Sequence, residues 1–128
     1  MHRQAIYNRL VAQCPSLTGG INQPYMAKID TPKPYAVLKI ADENPDSYSR
    51  AGMRLIVQVF VYADKASFLT IDNLVSEVIA ALHNVDIETT DSPPEIFRLE
   101  HRFTSSDFDD EERRAISKRI DFEFAGGR

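Results

Sequence analysis

From Met53 onward, Met53, Leu55, Val57, Val59 and Val61 share one parity, so an extended chain places five apolar side chains on one face. The opposite parity, Arg54, Ile56, Gln58, Phe60 and Tyr62, is mixed. At Ala63 and Asp64 the period changes from two to about 3.6. Phe68, Ile71, Leu74, Val75, Val78, Ile79 and Leu82 then recur at three- and four-residue steps and form one wide apolar stripe. This predicts a long helix opened by Asp64, whose carboxylate accepts from the first-turn amides, and closed by Asn84, which tolerates a left-handed backbone. Laying that helix on the odd face of the strand hides both apolar surfaces.

The flanking segments continue the same grammar. Ile6, Tyr7, Leu10, Val11 and Cys14 follow helical spacing over residues 2–14, and Pro15 ends the run because it has no amide to supply. Residues 16–24, with Gly19 and Gly20, read as a loop, and 25–29 as a short strand. Pro32 and Pro34 interrupt before a strand over 35–41, and the polar run 42–52 forms the exposed tip of a hairpin leading into the central strand. After the helix, 85–89 predicts a short strand and Asp91-Ser92-Pro93-Pro94 a turn. Phe97, Leu99, His101 and Phe103 then alternate on one face, and Ile116, Lys118, Ile120, Phe122 and Phe124 alternate against Ser117, Arg119, Asp121 and Glu123. These two runs predict an antiparallel pair joined by a polar loop over 104–112. The expected fold is α+β: one domain over 1–128, with a mostly antiparallel sheet of four to six strands. A long helix packs on one face, and a short helix stands at the N-terminus.

Bulk properties narrow the class. With 128 residues, 43% of them hydrophobic, the chain can bury a core, and no apolar run approaches a membrane span. Neither a signal peptide nor a membrane partner is expected. The 15 basic residues are dispersed among 19 acidic ones for a net charge of −4, which disfavours a free-standing nucleic-acid binder. The single cysteine, Cys14, ends a helical stripe and reads as a small buried hydrophobe.

Candidate chemistry is sparse. Asp107, Asp109, Asp110, Glu111 and Glu112 form an acidic run, but the glycine and terminal glutamate of a calcium loop are missing at their offsets. A solvated hairpin tip is the simpler reading. His101 lies among apolar residues with no obvious partner in His2 or His83, so a histidine bonded to a neighbour is favoured over a ligand. No nucleophile elbow, zinc-binding helix, Cys-x-x-Cys pair or dinucleotide fingerprint occurs, and no cofactor is expected. The aromatic and aliphatic side chains Ile56, Phe60 and Tyr62 lie away from the helix stripe, where they need a cover. Either the first helix or another subunit could provide it.

Several of these segments taken together carry a resemblance: the amphipathic helix over 2–14, the Gly19-Gly20 loop before Pro24, and Pro-Tyr-Ala-Val-Leu-Lys-Ile over 34–40. They continue as Arg-Leu-Ile-Val-Gln-Val-Phe-Val-Tyr over 54–62 and an Asp64-led helix ending in Val-Ile-Ala-Ala-Leu-His at 78–83. In order and character they resemble the small tail-terminator and tail-completion proteins of long-tailed bacteriophages and their prophage relatives. The resemblance reaches about residue 84, and the acidic loop has no counterpart in it. It implies a non-enzymatic structural subunit that forms a ring, commonly a hexamer, capping the tail tube and supporting head-tail joining. The implied partners are further copies, the tail tube protein and the head connector, with DNA only as passing cargo. The implied location is the virion tail, after assembly in the bacterial cytoplasm. Ile56, Phe60, Tyr62, Asp109, Asp110, Glu111 and Glu112 are the candidate protein-interaction residues. Two other readings stand beside it: a small metal-dependent enzyme using His101 and the acidic loop, and a bacterial protein-binding adaptor.

Overall fold

The structure, a computed structural model, describes residues 2–22, 33–45, 53–64, 68–111 and 114–127. The central strand is β3, Met53–Asp64, following α1 (His2–Gln13), β1 (Ile21–Asn22) and β2 (Tyr35–Pro45). Its Leu55, Val57, Val59, Val61 and Ala63 are buried, while Ile56, Gln58, Phe60 and Tyr62 are half-buried, so the expected division between its faces is real. Helix α2, Phe68–Leu82, covers the odd face, and its Ile71, Leu74, Val75, Val78, Ala81 and Leu82 join the same core. Fully burying one such side chain contributes about 1.5–3 kcal/mol, so this layer is the main source of stability.

The length of α2 differs from expectation. Asp64 is the last residue of β3, paired with Ala115, and the described helix runs from Phe68. Residues 65–67 and the side chain of Phe68 lie outside what is described. At 15 residues α2 spans about 22 Å, an ordinary length rather than a long one. Its end matches the sequence reading: Asn84 has φ 53°, and its N–H donates to the Leu99 carbonyl at 2.8 Å.

Beyond α2 come β4 (Ile87–Glu88), β5 (Ile96–Thr104), β6 (Phe108–Asp110) and β7 (Ala115–Gly127). Among the described residues the sheet has seven strands in the order β1-β2-β3-β7-β5-β4, with β6 also paired to β7. It is therefore larger than the four to six strands expected, and mixed, because β1 runs parallel to β2 while the other pairings between these strands are antiparallel. The parallel edge arises locally. Gly20, at φ 86°, turns the chain beside β2, where its carbonyl accepts from the Ala36 N–H at 3.0 Å. Strand β2 also continues beyond residue 41, with a register shift between Ile40 and Asp42, until Pro45 faces Met53. The hairpin is as expected but its tip is shorter. The tip itself, 46–52, and the expected strand over 25–29 are outside the described residues.

Helix α1 lies in the same layer as α2. Its Ala5, Ile6 and Leu10, with Cys14 just beyond it, join the core beneath the odd face of β3. Arg9 Nε donates to the Ala81 carbonyl at 2.9 Å, satisfying an orphan acceptor in the last turn of α2. Ser16 N–H donates to Glu77 Oε1 at 3.2 Å. Both helices thus occupy one face of the sheet, and α1 does not cover Phe60 and Tyr62.

Candidate functional site

The face of the sheet away from the helices carries its own small cluster. Tyr35 and Val37 of β2 are buried there against half-buried Phe60 and Tyr62 of β3. Direct pairing of Tyr35 with Tyr62 and of Val37 with Phe60 explains the grouping, because paired residues project from the same side. The two tyrosine rings stack at 4.8 Å with 14° between their planes. The hydroxyl of Tyr35 is buried without a hydrogen-bond partner among the described residues.

Beside this cluster a groove of about 300 Å³ is lined by Phe60, Tyr62, Asp107, Phe108, Ser117 and Arg119, together with Ser105 and Ser106. Its wall is made where β5 gives way to β6 along β7. Ser105 holds the join with two bonds to the same residue: its N–H donates to the Arg119 carbonyl at 2.9 Å, and its Oγ accepts from the Arg119 N–H at 2.8 Å. A side-chain oxygen there replaces a missing ladder carbonyl. Phe108 then pairs with Ser117 and stands 62% exposed at the groove's rim.

A second register shift, between His101 and Phe103, changes the face on which Phe103 lies. Phe103 was expected on the core side with Phe97, Leu99 and His101; instead it faces Asp121 and is half exposed. The Arg119 guanidinium sits 5.6 Å from the centre of its ring, and Arg119 Nε also donates to Asp121 Oδ1 at 2.9 Å.

The candidate residues separate into groups. Phe60 and Tyr62 line the groove, whereas Ile56 lies further along β3, opposite Glu123. Asp109 and Asp110 belong to strand β6 rather than to an irregular loop, and Glu111 begins the turn into β7. Glu112 is outside the described residues. Asp110 pairs with Ala115 and shares the groove side with Phe108, while Asp109, paired with Ile116, takes the opposite side. The hairpin is fastened to the helix layer by Lys118, whose Nζ reaches Asp72 of α2 at 3.1 Å and Asp107 at 3.5 Å. The Asp72 hydrogen bond, together with the charges of both carboxylates, raises the Lys118 pKa above its ordinary value.

His101 is held by neighbours. Its Nε2 is 2.7 Å from Thr104 Oγ1, and its ring tilts against Phe122 at 5.8 Å. Contrary to expectation His83 is close, with Nδ1 accepting from the His101 main-chain N–H at 3.0 Å. Among the described residues, no three His, Cys, Asp or Glu side chains gather in a way that could hold a metal ion. Cys14 is buried, which raises its thiol pKa to about 11, with the Glu77 charge adding to the effect and Arg9 opposing it. That suits the expected hydrophobe and not a nucleophile.

The family model for tail completion protein gp17 matches residues 4–125. The chain belongs to that family. A chain from a structure described as the virion of a native gene transfer agent particle has the same fold, with a TM-score of 0.70 and 17% identity over 95% of this chain and 91% of that one. No curated protein matches. Family membership makes this tail completion protein a structural tail component, and the fold comparison extends over the closing strands that the sequence resemblance did not reach. The groove-forming residues Ser105, Phe108 and Arg119 were missed in the sequence. The one available signal was Phe108 itself, an aromatic side chain embedded in an acidic run.

Proposed function

We propose that this tail completion protein assembles into a ring at the end of the tail tube and presents a docking surface for the head connector. The observation that carries the reading is the one-sided sheet: α1 and α2 share one face, leaving Phe60, Tyr62, Phe103 and Phe108 on a face that carries no helix among the described residues. An aromatic surface of this kind calls for a protein partner. In a closed ring each copy supplies two different surfaces, and the rotation between copies fixes their number. Phe60, Tyr62 and Ile56 belong to the contact between copies in this reading. Asp109, Glu111 and Glu112 are left for the tube, the connector or the lumen. An acidic lumen suits DNA as passing cargo, because attraction to the walls would slow its transit. The family membership and the virion setting of the structural relative support a place in the tail and a structural rather than catalytic role.

Sedimentation equilibrium of the purified chain tests the ring directly. A discrete multiple of the subunit mass is expected at high concentration. A chain that remains monomeric when incubated with assembled tail tubes contradicts the proposal.

A further inference from the structure

We infer that the groove beside Phe60 and Tyr62 receives helix α1 of the neighbouring copy, with Val11 of that helix against Phe108 and its Arg3 facing the acidic hairpin. The inference rests on the ring reading above and adds which two surfaces meet.

Among the described residues four large apolar side chains are exposed: Val11, Leu69, Phe103 and Phe108. Val11 and Leu69 stand on the helix layer, and Phe103 and Phe108 on the opposite face. A contact that buries one from each set therefore joins different surfaces, as a head-to-tail ring requires.

The fold also keeps these partners apart within one copy. Helix α1 is tied to the far end of α2 through Arg9 and Ala81, whereas the hairpin is tied to its beginning through Lys118 and Asp72. Nine residues of helix separate those anchor points, about 13 Å along the axis, and the sheet lies between Val11 and Phe108. Leu69 is the poorer occupant of the groove, because it lies at the same end of α2 as the hairpin and beside Asp72.

Charge selects α1 as well. Residues 2–13 contain Arg3 and Arg9 and no acid, whereas 107–114 contain five acids against two arginines. Opposite signs on the two surfaces favour this pairing and oppose hairpin-to-hairpin or α1-to-α1 contacts. On α1, Gln4 and Asn8 share the stripe of Val11, with Gln4 Nε2 donating to Asn8 Oδ1 at 2.8 Å, and Ser105 and Ser106 are among the residues lining the groove. Both surfaces thus set polar groups beside an apolar side chain, the mixture usual in a protein contact.

The test is oxidative cross-linking of a double variant, Val11→Cys with Phe108→Cys, at concentrations where the wild-type chain is oligomeric. Circular dichroism confirms that each variant is folded, and the buried Cys14 remains in all of them. The expected result is a ladder of dimers, trimers and larger disulfide-linked species on a non-reducing gel. Each single variant should yield no species beyond a dimer. Arg3→Glu should reduce the ladder several-fold, and adding Asp110→Arg should restore it. A double variant with no species above the dimer, while the wild type is oligomeric, overturns this assignment and leaves the ring standing. A wild type that stays monomeric even when incubated with assembled tail tubes, with no ladder there, overturns the pairing and the ring together.

Discussion

The main-chain N–H of His101 donates to Nδ1 of His83 at 3.0 Å, tying the residue just beyond α2 to the strand on which that helix packs. The adjacent Asn84 N–H donates to the Leu99 carbonyl, so two consecutive residues close the helix onto β5. With Nδ1 of His83 accepting and Nε2 of His101 bonded to Thr104, both histidines have structural work.

Replacing His83 by Ala removes the acceptor of a part-buried N–H and should lower stability by about 1–3 kcal/mol. Urea denaturation measures it. Added zinc should leave the wild-type midpoint unchanged, since a ligand that binds only the native chain would raise it. A zinc-dependent rise that disappears in His101→Ala would revive the metal-site alternative.

The Cys14 thiol makes stability depend on alkaline pH. Its folded pKa is about 11 against an ordinary 9.0, so above pH 9 the unfolded chain loses the proton while the folded chain keeps it. Stability is therefore fully present below pH 9 and falls as pH rises through 11, by about 3 kcal/mol in all. Cys14→Ala should remove this part of the slope in denaturation curves measured across that window. A thiol reagent at pH 8 should modify the wild-type chain only as fast as it unfolds.

Lys118 reaches both α2 and the base of the hairpin, and its own side chain is 19% exposed. Lys118→Met should lower stability by about 1 kcal/mol and speed hydrogen exchange at the β6 amides. Because its folded pKa is raised, the contribution is present below the ordinary value of 10.5 and is lost as pH rises through the higher folded value. Unchanged exchange in the hairpin would show that the ladder with β7 holds it without the lysine.

Neutralising Asp109, Asp110, Glu111 and Glu112 to Asn or Gln should leave the melting temperature nearly unchanged while reducing the yield of infectious particles. Their charges are assigned to recognition and DNA passage rather than to the core. Wild-type particle yield from the neutralised chain would remove the acidic hairpin from the function.

The part of the fold written most clearly in the sequence is where burial and period coincide. Leu55, Val57, Val59 and Val61 announce a period of two, Ile71, Val75, Val78 and Leu82 one of 3.6, and the two faces meet as expected. Asn84 was legible because its side chain tolerates the left-handed backbone it adopts. What escaped was set by pairing between distant residues. Strand β1 has two residues, too few for any alternation to show, whereas the short strand expected over 85–89 is present as β4. The shift at His101 and Phe103 is fixed by the partner strand β7, so the alternation in the sequence assigned Phe103 to the wrong face. The site was only half visible for the same reason. Phe60 and Tyr62 stood out in their own strand, but the groove also needs Ser105 and Phe108, brought beside them by β7.

Electron microscopy of particles made without this chain is the most direct test of its place in the tail. The account predicts complete heads together with tails that are irregular in length or fail to join them, corrected when the wild-type chain is supplied. Normal joined particles of uniform tail length in its absence would contradict it.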